Sequence, residues 1–66
     1  MTQDEFLKRY HNYQTHSEEE AKRETQRVNE EGIDGGEVWA VNFGSLGWCL
    51  MLKTAFLAAV NMGVYP

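Results

Sequence analysis

Val38-Trp39-Ala40-Val41-Asn42-Phe43-Gly44-Ser45-Leu46-Gly47-Trp48-Cys49-Leu50-Met51-Leu52 is the stretch on which the fold turns. Its first six residues are β-branched and aromatic enough for a short strand ended by Gly44. If everything after them is helical, however, that strand has no partner within the chain and would have to pair between copies. Helix or irregular turn is therefore the preferred reading of 38–43, with an intermolecular strand as the alternative. From Ser45 to Met62 the residues are apolar nearly all round and read as one helix, closed by Gly63 and stopped near Pro66. Asn42, just ahead of it, falls loosely on one side with Ser45, Lys53 and Asn61, and Trp48, Met51, Leu52, Ala55, Ala59 and Met62 fall on the other. Ala55, Ala59 and Gly63 form a stripe of small residues that lets another helix approach closely.

Working back from Val38, the composition changes abruptly. All ten acidic residues lie at or before Glu37, and after it only Lys53 carries a full charge. Of the 29 residues from Val38 onward, 20 are apolar. The first 37 hold eight: Met1, Phe6, Leu7, Tyr10, Tyr13, Ala21, Val28 and Ile33. The turn between the halves is written in Gly32-Ile33-Asp34-Gly35-Gly36-Glu37. Gly32 is a good helix stop, Ile33 is placed to fold back on the last turn, and Asp34 with Glu37 has capping-box spacing.

Upstream, Thr2 and Glu5 have the spacing of a capping box, and Phe6, Leu7, Tyr10 and Tyr13 recur as one apolar helical face. Ser17 and Glu20 repeat the box. Two arrangements fit: one helix from about Thr2 to Glu31, or two helices meeting near Thr15-His16-Ser17; helix throughout, with a bend at Ser17, is the preferred reading. Acid-before-base pairs at i,i+4 (Asp4/Lys8, Glu5/Arg9, Glu18/Lys22, Glu19/Arg23) add roughly 0.2–0.5 kcal/mol each to a helix.

The fold expected from these signals is all-α. It is a helical hairpin or three-helix arrangement: an acidic N-terminal helix or helix pair, a Gly-rich turn and an apolar C-terminal helix. Residues 1–66 form one small domain, since a chain this short buries only about 60% of its unfolded surface and its core rarely supplies more than ~3–5 kcal/mol. Cys49 is the only cysteine, so no internal disulfide can help. With so thin a polar half to cover it, the apolar half is expected to be completed by oligomerisation, as a bundle-like homodimer.

Function classes narrow by exclusion. A net charge of −4 argues against binding nucleic acid, which needs clustered Lys and Arg. Catalysis has little support: Cys49 sits between Trp48 and Leu50, and Ser45 has no His or acid near it in sequence. His11 and His16 are five apart and face different ways on a helix. His16 with Glu19 or Glu20 is spaced for two metal ligands, with no evident third, so neither metal nor cofactor is expected. The run Glu18-Glu19-Glu20 reads as a solvated first turn favoured by the helix dipole. The glycines at 32, 35 and 36 lack the pattern of a phosphate loop.

The aromatics Trp39, Phe43, Trp48, Phe56 and Tyr65 carry more weight, because aromatic residues are enriched in binding hot spots. The expected partner-binding residues are Trp39, Phe43, Trp48, Met51, Leu52 and Phe56. They describe a small acidic non-enzymatic protein–protein interaction module, a stoichiometric inhibitor or adaptor of the kind viruses and mobile elements encode. A lone free cysteine and no export signal point to the cytoplasm. The competing expectation is a membrane-associated accessory subunit with residues 38–64 in or on the bilayer, at a cost of about 2.5–3.5 kcal/mol for a central Lys53.

Overall fold

The computed structural model describes residues 1–63; the expected stop at Pro66 and the aromatic Tyr65 lie outside them. Helix α1 spans Gln3–Tyr10, α2 Glu18–Glu31 and α3 Lys53–Asn61, with strands β1 (Val38–Asn42) and β2 (Trp48–Leu52) between α2 and α3. The fold is thus mixed α/β, and the all-α expectation is overturned. Residues 45–62 are not one helix: a 3₁₀ turn at Gly44–Leu46, a strand and a shorter helix share them. Nor does 38–43 need a second copy, because β1 pairs antiparallel with β2 of its own chain, Val38 opposite Leu52 and Asn42 opposite Trp48.

The reason lies at Gly44 and Gly47, with φ of +68° and +88°. Both lie on the left-handed side of φ, where residues other than glycine are strained, so they interrupt a helix and turn the chain. Phe43 N–H donates to Gly47 C=O at 2.8 Å, closing the connection, and Lys53 N–H donates to Glu37 C=O at 2.9 Å at the other end.

The local signals upstream hold in part: the capping box at α1 forms in full and the one at α2 only half. At α1, Thr2 Oγ1 accepts from Glu5 N–H at 3.1 Å and the Glu5 carboxylate accepts from Thr2 N–H at 3.3 Å. The bond from the Thr2 backbone, and then that from its hydroxyl, holds the Glu5 carboxyl below the ordinary carboxylate range. The N-terminal half is two helices and not one. Ser17 caps α2 by accepting from Glu20 N–H at 3.2 Å. Glu20 does not complete the box; its carboxylate accepts from the Thr15 hydroxyl instead. Glu18 and Lys22 meet at 2.9 Å, while Arg9 reaches Glu31 at 3.7 Å. Asp34 and Glu37 start no helix; Ile33 and Gly36 form an isolated bridge, and β1 follows.

Side-chain alternation along the hairpin sets the layers. Val38, Leu50 and Leu52 share one face and are buried with Phe6 and Tyr10 of α1 and Val28 of α2, with Ile33, Met1 and Tyr13 packed against them. Each fully buried large apolar side chain contributes about 1.5–3 kcal/mol before conformational entropy is set against it. The sparse apolar residues of the acidic half therefore suffice to cover one face of the hairpin within a single chain. The loop between α1 and α2 is tied to the sheet. Thr15 and Trp48 exchange two backbone hydrogen bonds at 3.0 and 2.6 Å, and Gln14 Nε2 donates to Leu46 C=O.

Two tyrosines of this core make its stability pH-dependent. Burial, then the hydrogen bond to Glu24 at 2.9 Å, raises the Tyr10 phenol above its ordinary value. Burial, then Glu20 and Glu24, raises Tyr13, whose Oη is enclosed without a hydrogen-bond partner among the described residues. Both phenols stay neutral longer in the folded chain than in the unfolded one. Their contribution is complete below the unfolded value of about 10 and is lost as pH rises through the folded values. Urea midpoints should therefore fall as pH rises above about 10, and the fall should flatten in a Tyr10→Phe/Tyr13→Phe variant. An equal fall in the double variant would assign it to other groups.

Candidate interaction surface

The second face of the hairpin carries Trp39, Val41, Cys49 and Met51, the positions that alternate with the core set. Helix α3 leaves β2 without a loop: Leu52 is the last strand residue and the N-cap, with no side-chain cap bond. Phe56, one turn into the helix, meets Trp39 with ring centroids 5.7 Å apart. Lys53 Nζ lies 5.4 Å from the Trp39 ring centroid and 3.4 Å from the Glu37 carboxylate. A cation over an indole face adds about 0.5–1 kcal/mol at exposed sites, so Trp39 is held by two groups at once, Phe56 and Lys53, the latter itself fixed by Glu37.

Beyond that anchor, α3 is sparsely covered. None of its residues is buried, and it packs on β2 and on Trp39 of β1. Leu57 is 41% exposed, Val60 42% and Met62, just past its end, 77%. With Phe56, Leu57 and Val60 fall at i, i+1 and i+4, a continuous apolar stripe. Of the small-residue series, Ala55 and Gly63 are exposed and Ala59 is half-buried. No helix of the described residues is long and apolar enough to cross a membrane.

The six partner-binding residues named from the sequence divide between surfaces. Trp39, Met51 and Phe56 come together on the α3 side, all half-buried. Phe43 is half-buried in the hairpin connection. Trp48 shares the other face of β2 with Leu50 and is bridged to Thr15. Leu52 is 8% exposed and belongs to the molecule's own core. Leu57 was absent from that set; its spacing from Phe56 and Val60 was the available signal.

Among the described residues no three His, Cys, Asp or Glu side chains come together as a metal site. Cys49 is a half-buried free thiol, Ser45 is exposed in the 3₁₀ turn, and His11 and His16 are both exposed. No family model matches the chain, and no match is found among the curated proteins or the solved structures.

Proposed function

We propose that the protein is a small non-enzymatic interaction module that docks on other protein through α3 and the adjoining Trp39–Met51 side of the hairpin. The observation that carries this reading is a helix with no buried residue, presenting Leu57, Val60 and Met62 beside a fixed Trp39–Phe56 pair. Such a surface supplies no reacting group. It supplies apolar area around rigid aromatic anchors, which is how hot spots are built.

Charge favours a second copy as one occupant. The acidic residues stand on α1, α2 and the turn up to Glu37, and α3 carries only Lys53. Two copies meeting through α3 bring uncharged surface together and need not press their acidic helices against one another. An inhibitor or adaptor role fits the same face, and the lone free Cys49 suits a reducing compartment such as the cytoplasm.

The test is a Leu57→Glu/Val60→Glu variant, altered only at exposed positions. Its circular dichroism and urea midpoint should match the parent. Losing about 2 kcal/mol of apolar burial should weaken association roughly 30-fold, read as a loss of concentration-dependent mass in sedimentation and of site-specific cross-links in cells from the neighbouring exposed position 61. A parent chain that stays monomeric to on the order of 100 µM, with cross-links indifferent to the variant, ends the reading.

A further inference from the structure

The outer edge of β1 offers chemistry of a different kind from α3, and the inference drawn from it does not depend on the docking of that helix. In an antiparallel pair alternate residues turn their N–H and C=O toward and away from the partner strand. The bonds at Glu37–Lys53 and Phe43–Gly47 set the parity, so Trp39 and Val41 face β2 while Val38, Ala40 and Asn42 face outward. At Val38 the outward pair is taken by the side chain of Asn29 from α2. Its Oδ1 accepts from Val38 N–H at 2.8 Å and its Nδ2 donates to Val38 C=O at 2.9 Å. A carboxamide is the side-chain equivalent of a peptide unit, so Asn29 completes one rung of a strand that is not there. Among the described residues no group completes the next rung, at Ala40.

Between that edge and α2 runs an open trough of about 650 Å³, walled by Lys22, Gln26, Asn29 and Glu30 on one side and by Trp39 and Ala40 on the other. The volume is within the range of sites that bury a small ligand. Open edges are usually guarded by a charge, a proline or a bulge; Val38-Trp39-Ala40-Val41-Asn42 carries none of these. Charge narrows the occupant. Lys22 is engaged by Glu18 at 2.9 Å and Glu37 by Lys53 at 3.4 Å. Glu30 accepts from the Gln26 amide at 2.9 Å, but no cation pairs with it among the described residues. The uncompensated charge on the wall is therefore negative. A second β1 would bring no basic residue to it and would set one acidic α2 against another.

We propose that this trough receives a short extended, basic segment of another protein, paired main chain to main chain with Ala40 and setting a lysine or arginine against Glu30. The mode is strand addition, in which backbone bonds provide affinity and flanking side chains provide selection.

The experiment is a titration of the isotope-labelled full chain with blocked hexapeptides, followed by amide chemical shifts. A peptide of alternating lysine and valine should bind saturably, with Kd on the order of 1 mM, and move the amides of Ala40, Gln26 and Glu30. Its glutamate-for-lysine counterpart should bind at least about threefold more weakly. The lysine peptide N-methylated at alternate amides keeps its charge and should lose saturable binding in one of the two registers of methylation. Glu30→Lys, at an exposed position, should reverse the preference between the lysine and glutamate peptides. The Leu57→Glu/Val60→Glu variant should bind like the parent. Equal binding by both methylated peptides, shifts centred away from Ala40, or a glutamate peptide as good as the lysine one would overturn the proposal. So would the absence of saturation at 10-fold the stated Kd.

Discussion

Gly47→Ala is expected to remove most of the stability of this fold. Gly47 sits at φ +88° and ψ −156°, a region that is essentially glycine's own and that costs other residues about 1–3 kcal/mol. The strain is not the only penalty. A Cβ built there would lie 2.6 Å from the Thr15 carbonyl oxygen and 3.1 Å from both the Thr15 carbonyl carbon and His16 Nδ1. Most of the obstacle is backbone, so no rotamer change relieves it. Thr15 C=O is also the acceptor for Trp48 N–H. Moving it breaks the bridge that ties the α1–α2 loop to β2, at about 0.5–1.5 kcal/mol per hydrogen bond. Against a total of ~3–5 kcal/mol for a domain of this size, the sum leaves little. Gly44→Ala is the control: φ is +68° with open space around the added carbon, so it should cost about 1–2 kcal/mol. Urea unfolding of the two variants side by side checks the difference. Equal midpoints would show that the loop yields freely and that the bridge contributes nothing.

Phe6→Ala should be comparably severe, for a reason of packing. Phe6 is 2% exposed, its ring stands 5.2 Å from that of Tyr10, and the pair are the two buried residues of α1. A phenylalanine-to-alanine change in a core typically costs 3–5 kcal/mol. An eight-residue helix has no independent stability to fall back on, so α1 should leave the hairpin and expose Val38, Leu50 and Leu52. Near-ultraviolet circular dichroism and thermal unfolding would report it. Leu7, the next residue, is 53% exposed, and Leu7→Ala should change stability by no more than about 0.5 kcal/mol. If the two variants behave alike, α1 is not docked as described.

The strand at Trp48–Leu52 was hidden by its own surroundings. A half-exposed strand alternates apolar with polar, but here both faces are apolar. Leu50 and Leu52 enter the core, while Cys49 and Met51 share the α3 side with Trp39. Such a run cannot be distinguished by periodicity from a buried helix, and joined to Ala55–Val60 it imitates one long helix. Gly44 and Gly47 were the available evidence for a hairpin connection. The interaction surface was legible only in part for a related reason. Trp39 and Phe56 are far apart in sequence and meet only because β2 returns beside β1. The register then sends Trp48 and Leu52 to the opposite side, as a one-residue slip would have reversed.

The primary structure alone determined the caps at Thr2 and Ser17 and the concentration of acid ahead of Val38, but not the break between α1 and α2. Caps and turns are made by residues three or four apart, so their chemistry is complete in the local sequence. It did not determine that 38–42 pairs with 48–52, or which apolar side chains are covered. Pairing and burial depend on where α1 and α2 come to rest, and that is decided by the joint packing of Phe6, Tyr10, Val28, Val38, Leu50 and Leu52.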